Sequence, residues 1–153
     1  MSSKFVYVIY IRTAQEKLWR ALTSPDFQKR YWFGMYQDCD WKMGAPWKMC
    51  FSDGRVADAG KVLEIDPPRR LVLEWQNEFR PELKGEGPTR CIYELEPVDD
   101  SVRLTITHTS PRDNSKTIEA VSGGWPKVLS SLKSLLEMGE ALPGIHAASQ
   151  ARS

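Results

Sequence analysis

The sequence predicts one α+β domain in which a curved antiparallel sheet of about six or seven strands wraps around a long C-terminal helix. Three observations predict this fold. A strand and two short helices open the chain, short strands separated by turn residues follow, and a long apolar helical stripe comes last. A helix with so wide an apolar stripe must bury it, and a half-buried antiparallel sheet is a partner large enough to do so.

The N-terminal elements are predicted from residue type and capping signals. Residues 4–12 are dense in β-branched and aromatic side chains, which indicates a strand buried on both faces. Thr13 and Glu16 have the spacing of a capping box and would begin a short helix. Ser24 and Pro25 suit the N-cap and first position of a second short helix.

Residues 35–109 alternate strand-like segments with turn signals, which predicts an antiparallel meander. Apolar and polar residues alternate along these strands, so one sheet face is packed and the other is wet. Glu64 and Glu74 lie on adjacent predicted strands and could form an acid–base pair. Glu74 is out of phase with the inward-facing Trp75, so we interpret both carboxylates as surface charges.

The last predicted element is a helix whose apolar residues recur every three or four positions from Ile118 to Leu136. The pair at 123–124, both glycines, and Pro126 interrupt this stripe, so we expect a firm helix from about Pro126. Gly139 is the predicted C-cap. We therefore expect a single domain over residues 1–139 and a mobile tail over residues 140–153, which contains His146.

Composition excludes several classes of function. The chain has 153 residues and a net charge of +1, with basic residues spread among acidic ones, so we expect no nucleic-acid partner. The N-terminal apolar run is too short to span a bilayer, so no membrane insertion is expected. The two His and three Cys are scattered, so no metal is expected. An odd cysteine count without C-x-x-C spacing favours a reducing, cytoplasmic location. Nucleotide-binding, zinc-protease and nucleophile-elbow motifs are absent, and no cofactor is expected.

Four segments in order carry a resemblance to a known family: EKLWRALTSP (16–25), GKVLEIDPPRRL (60–71), LTITH (104–108), and the Gly-Trp and Leu-Glu-Met-Gly ends of residues 124–139. Together they resemble the activator of heat-shock protein 90 ATPase homologue family, within the START-like, helix-grip (SRPBCC) superfamily. The resemblance covers about residues 5–139. It implies a helix-grip fold whose cavity takes up apolar molecules in many members. Some members are aromatases or cyclases, and the eukaryotic namesake binds a chaperone.

The aromatic residues are the strongest candidates for a binding site, since six Trp is a high number for a domain of this size. Large flat side chains line apolar pockets and hold ligands by stacking and a single hydrogen bond. A core simply filled by Trp is the alternative. The residues predicted to line the cavity are Trp41, Trp75, Tyr93, His108 and Trp125. For His108 the alternative is a buried histidine satisfied by its neighbours. Residues 77–88 form either a lid over the cavity or an ordinary hairpin loop.

The leading hypothesis is a binding protein for a small apolar or aromatic ligand, because no catalytic constellation accompanies the aromatic positions. Two alternatives stay open: a chaperone-associated partner module, implied by the resemblance, and an aromatase- or cyclase-like enzyme using His108. We lean against an enzyme because histidine is scarce, with two in the chain. Trp32 or Tyr36, if exposed, could contribute to a homodimer contact.

Overall fold

A computed structural model describes residues 2–142 and contains seven strands and four helices within that range. In chain order the elements are β1 (Ser3–Ile11), α1 (Gln15–Thr23), α2 (Pro25–Tyr31), β2 (Tyr36–Cys39), β3 (Pro46–Cys50), β4 (Val56–Asp66), β5 (Arg70–Asn77), α3 (Pro81–Lys84), β6 (Thr89–Val98), β7 (Ser101–Ser110) and α4 (Lys116–Met138). The strands form one antiparallel sheet in the order β1-β7-β6-β5-β4-β3-β2. The predicted fold class is confirmed: a curved sheet with a long C-terminal helix, and two short helices after β1.

The first strand differs from its prediction. Val6, Val8 and Tyr10 are each about half exposed, at 48%, 47% and 49%, while the alternating Phe5, Tyr7 and Ile9 pack against the core. The expectation that β1 is buried on both faces is therefore wrong. The helices cover one face of the sheet, so the other face of β1 meets solvent.

The last helix is ten residues longer than predicted, because α4 begins at Lys116 and continues through Pro126. Its N-cap is Ser115, whose Oγ accepts from the Ile118 N–H at 3.2 Å. Ile118 and Trp125, two turns apart, are both buried. Burial of that first part of the stripe outweighs the weak helix propensity of the glycines, which costs about 1 kcal/mol each.

The start of α1 also differs from its prediction. Ala14 is the N-cap and no side chain caps the helix, so the proposed capping box of Thr13 and Glu16 is wrong. The Gln15 side chain instead donates to the carbonyl oxygen of Pro68 at 3.0 Å, which ties the helix start to the β4–β5 turn. A tertiary contact thus replaces the local cap.

Gly60 brings two tryptophans together across β4. It pairs with Trp47 of β3 on one side and Trp75 of β5 on the other. The indole rings of Trp47 and Trp75 lie 4.5 Å apart between centroids. A Cβ at position 60 would lie 1.7 Å from the Glu74 carbonyl oxygen, so the backbone approach also requires glycine.

The C-terminal cap is confirmed: Gly139 adopts the left-handed conformation with φ 86°, and its N–H donates to Leu135 at 2.9 Å. The Leu142 N–H then donates to Ser131 Oγ at 3.2 Å. Residues 143–153, with His146, lie outside the described residues, so the mobile tail stays a prediction. Within residues 2–142, no helix combines the length and apolar character needed to cross a bilayer.

Candidate ligand-binding site

Four of the five predicted site residues meet between the sheet and α4: Trp75, Tyr93, His108 and Trp125, which we call the inner aromatic group. Trp75 lies 5.3 Å from the His108 ring and 5.9 Å from Trp125, between centroids. Tyr93 lies 5.8 Å from Trp125, edge to face. All four are at most 5% exposed. They therefore fill the interface between β5, β6, β7 and α4 by mutual packing.

Trp41 lies apart from this group, in the loop between β2 and β3. Its backbone has a positive φ of 55°, and its side chain is half-buried against the edge of the core. Trp41 packs against the core from this loop and makes none of the ring contacts that join the inner aromatic group.

A directional hydrogen-bond chain joins the inner aromatic group to the sheet. The Trp125 indole N–H can only donate, and it lies 3.3 Å from His108 Nδ1, which must therefore accept. His108 then carries its proton on Nε2 and donates to Thr89 Oγ1 at 2.7 Å. The Thr89 hydroxyl donates in turn to the Trp75 carbonyl oxygen at 2.8 Å. The chain links α4 to three consecutive strands.

This hydrogen-bond chain defines the protonation state of His108. The side chain is fully buried, and burial lowers its pKa to about 4. It is therefore neutral at neutral pH, and both ring nitrogens are occupied by protein partners. These features support the structural interpretation of His108 over an acid–base role, because neither nitrogen is free to exchange a proton with a substrate.

Other aromatic side chains extend the packing in both directions. Trp32 packs edge to face on Trp125 at 5.3 Å between ring centroids. This contact attaches Trp32 to the core and does not favour the predicted role in an exposed dimer contact. Trp47 is fully buried, and its indole N–H donates to Gln37 Oε1 at 2.8 Å. The tryptophan-rich interior is thus closely packed along its length from α2 to β3.

Open space occurs at one end of this interior, where Trp75 borders a depression of about 210 Å³. β4 and β5 form its floor, the 78–88 segment one wall and the first turns of α4 the other. The lining residues are Asp58, Trp75, Asn77, Phe79, Arg80, Leu83, Thr117, Ala120 and Val121. An apolar cavity of roughly 150 Å³ holds benzene, so this space suits a single aromatic ring with a short substituent.

Asp58 is the titratable group in the depression that the sequence analysis did not identify. It is half-buried on β4, opposite Asn77 of β5. Burial raises the pKa of its carboxyl to about 7; hydrogen bonding from the Trp75 side chain opposes the rise, and the nearby Glu78 carboxylate adds to it. Strand parity could have identified Asp58, because it lies on the same face of β4 as Gly60 and the buried Val62.

The 78–88 segment is held in place at both ends. At its start, Asn77 Oδ1 accepts from the Arg80 N–H at 2.7 Å, and Phe79 packs edge to face on Phe51 at 5.1 Å. At its end, the Glu86 carboxylate accepts from Ser115 Oγ at 2.7 Å and from the Lys116 N–H at 2.8 Å. The segment predicted as a lid or a loop therefore carries the short helix α3 and is pinned to the N-terminus of α4.

Neither the cysteines nor the acidic residues form a metal site within residues 2–142. Cys39, Cys50 and Cys91 are free thiols, and burial raises the pKa of Cys91 far above its ordinary value. No group of three His, Cys, Asp or Glu side chains in this range is arranged to hold a metal ion. The lining of the depression combines aromatic and aliphatic surface with one carboxyl group, Asp58, and one guanidinium group, Arg80.

The single helix gripped by a curved antiparallel sheet, with aromatic packing between them, defines a protein of the helix-grip, START-like class. Comparison with protein families is more specific. The chain belongs to the family described as Activator of Hsp90 ATPase homolog 1-like protein, whose model matches residues 12–137. No curated protein matches the chain.

Solved structures share the fold over nearly their whole length. A Mesorhizobium loti protein, MLL2253, is 23% identical with a TM-score of 0.75, covering 88% of this chain and 97% of its own. The Aha1 dimer from Colwellia psychrerythraea is 23% identical with a TM-score of 0.71, covering 91% and 99%. PFC0360w, an HSP90 activator from Plasmodium falciparum, is 19% identical with a TM-score of 0.72, covering 87% and 95%. Family and fold support a ligand-binding or Hsp90-activator-like module.

Proposed function

We propose that this protein binds a small, largely apolar or aromatic molecule at the open end of the interface between the sheet and α4. The observation that carries the proposal is the position of Trp75. It packs on the inner aromatic group on one side and borders the 210 Å³ depression on the other. A ring entering the depression would continue the edge-to-face packing of the interior.

The walls of the depression support an apolar ligand. Leu83 and Val121 present aliphatic surface, and Phe79, which is 52% exposed, lies at the rim. Exposed aromatic surface beside a concave site contributes favourably when a ligand covers it, by about 25 cal/mol for each Å² buried. The inner aromatic group, in this proposal, supports Trp75 and does not itself surround the ligand. Of the predicted cavity residues, Trp41, Tyr93, His108 and Trp125 thus have indirect roles at most.

Titration with 2-phenylethanol, a neutral ring with a short polar arm, tests this function by tryptophan fluorescence and calorimetry. We expect saturable binding to the wild type. Ala120→Phe places a ring over the depression from the exposed side of α4 and should abolish binding. The matched control Lys127→Phe adds the same ring at an exposed position two turns away and should bind as the wild type does. No saturation, or equal binding by both variants, would contradict the proposal.

A chaperone-associated role is the second candidate, favoured by the family match and by the solved HSP90 activator of similar fold. The test is the ATPase rate of an Hsp90 homologue with and without this protein. Stimulation that survives Ala120→Phe would support an activity independent of the depression. An unchanged ATPase rate and no co-sedimentation would exclude this role.

Two further proposals concern the state of the protein in the cell. A homodimer is supported by the dimeric Colwellia relative and is tested by sedimentation velocity. A cytoplasmic location is supported by the three free thiols, two of them buried. An aromatase- or cyclase-like reaction through His108 finds little support, because that ring is buried, neutral and doubly hydrogen-bonded.

A further inference from the structure

We propose that the ligand carries a protonated amine beside its apolar ring, and that Asp58 is the residue that pairs with it. This inference rests on the proposed function, since it specifies the chemical class of the molecule that occupies the depression. It is carried by the position of Asp58 in a largely apolar concave site, and by the absence of a basic partner for it among residues 2–142.

The basic residues nearest the depression are committed to other carboxylates. Arg80 Nε pairs with Glu82 Oε1 at 3.0 Å, within the 78–88 segment. Lys84 Nζ pairs with Glu78 Oε1, also at 3.0 Å. Asp58 has no such partner among the ion pairs of the described residues. A half-buried carboxylate without a counter-ion is unfavourable, and a bound cation would remove that penalty.

Every element around Asp58 favours a cation over an anion. From the end of β5, the Glu78 carboxylate adds a second negative charge. β5 itself contributes Trp75 and Asn77, and α4 contributes Thr117, Ala120 and Val121, none of which is titratable in the ordinary range. Arg80 is the one basic residue in the lining, and it is turned toward Glu82. An anionic ligand would meet the Asp58 carboxylate in the lining, with the Glu78 carboxylate close by, so it is disfavoured by repulsion.

The aromatic walls reinforce this selection. The Trp75 indole lies beside Asp58 and directs its N–H toward that carboxyl, and the small exposed part of its ring borders the depression. An ammonium group held by Asp58 would also lie close to the ring of Phe79, which is exposed at the rim. The Thr117 hydroxyl is buried in the same lining beside the Glu86 carboxylate, and its oxygen is available to accept a hydrogen bond. A ligand N–H could satisfy it.

Proton linkage follows from the same arrangement. Because burial raises the pKa of Asp58 to about 7, much of the free protein carries a protonated Asp58 below neutral pH. Pairing with an ammonium group needs the carboxylate, so binding at about pH 6 must release a proton, and affinity must rise between about pH 6 and pH 8. A neutral ligand of the same shape would show neither effect.

The experiment compares phenethylamine with 2-phenylethanol, which share a ring and a two-carbon arm, by calorimetry at about pH 8. We expect the amine to bind about tenfold more tightly, which is the usual size of a charge-assisted hydrogen bond. Asp58→Asn should remove this preference, so that the variant binds the two compounds with affinities within about twofold of each other. Asp113→Asn, which changes an exposed carboxyl elsewhere, should keep the preference.

The outcomes separate this inference from the function on which it rests. Saturable binding of 2-phenylethanol with no advantage for the amine overturns the role of Asp58 and leaves the proposed function standing. Failure of both compounds to bind overturns both. An amine preference that persists in Asp58→Asn overturns the assignment of the pairing residue. Before titration, a cooperative thermal unfolding transition should verify that the Asp58→Asn variant is folded.

Discussion

Trp125 donates its indole N–H to Nδ1 of His108, and this single contact decides the tautomer of a histidine buried between the sheet and α4. Because Trp125 cannot accept, His108 must place its proton on Nε2 and donate to Thr89. The histidine thereby becomes a two-sided connector between helix and sheet. This relationship gives the buried His108 side chain a structural role.

His108→Leu should lower the free energy of unfolding by about 2 kcal/mol, because it leaves the Trp125 N–H and the Thr89 hydroxyl without their shared partner. Urea denaturation of this variant measures the change. Thr89→Val, which keeps the shape of the side chain, completes a double-mutant cycle in which we expect a coupling of about 1 kcal/mol. Strictly additive effects would show that the hydrogen bonds joining Trp125, His108 and Thr89 contribute no cooperative stability.

The pH dependence of stability should contain two opposing contributions. His108 has a pKa of about 4 in the folded protein and about 6.5 when unfolded, so its contribution is complete above pH 6.5 and declines as the pH falls toward 4. Asp58 has a pKa raised to about 7, so protonation stabilises the folded state as the pH falls below 7. Between about pH 7 and pH 5 the two should largely cancel in the wild type.

Variants separate these contributions. Asp58→Asn should lose about 2 kcal/mol of unfolding free energy between about pH 7 and pH 5, since the His108 contribution is then unopposed. His108→Leu should gain stability over the same interval. Chemical denaturation across this pH range measures both slopes. Parallel slopes in the two variants would contradict the pKa directions on which the prediction depends.

Two glycine substitutions should have opposite effects. Gly60→Ala places a Cβ 1.7 Å from the Glu74 carbonyl oxygen and should cost about 3 kcal/mol or prevent folding. Gly123→Ala lies in α4 with nothing within 4 Å of the added Cβ, and should stabilise by about 0.5–1 kcal/mol through helix propensity. Thermal unfolding of both variants is the measurement. A tolerated Gly60→Ala would mean that β4 and β5 separate more easily than their pairing indicates.

Glu86→Gln should loosen the junction between the 78–88 segment and α4. Partial burial acts to raise the pKa of Glu86, but hydrogen bonds from Ser115 and the first backbone N–H groups of α4 hold it below its ordinary value. Losing the charge at a helix N-terminus should cost about 1 kcal/mol. Hydrogen exchange should accelerate at Lys116 and Thr117 relative to residues near Leu132, and equal protection would contradict a role for this contact.

The sequence was informative where side-chain parity decides position. Alternation along β5, β6 and β7 predicted that Trp75, Tyr93 and His108 face the helix, because a packed sheet face permits one register. Helical spacing placed Trp125 opposite them. These four residues could therefore be identified from the sequence alone. Their close packing, which fills the interface between the sheet and α4, could not.

Properties that depend on register and tertiary contact were not predictable in the same way. The depression arises where α3 and the first turns of α4 meet the end of β4, and α4 was expected to begin ten residues later. Asp58 becomes important because its neighbours leave it without a counter-ion, a property of the assembled fold. The exposed face of β1 follows from the packing of the helices on one face of the sheet only, which local composition does not specify.

If a ligand enters the depression beside Trp75, the indole N–H resonances of the six tryptophans should report its binding. In a two-dimensional ¹H–¹⁵N spectrum with 2-phenylethanol added, we expect a saturable shift of the Trp75 indole signal, assigned by its loss in Trp75→Phe. The indole signal of Trp19, which lies on α1 outside the lining of the depression, should respond far less. Saturable shifts at Trp19 or Trp41 with Trp75 unchanged, or no shift in any indole, would contradict it.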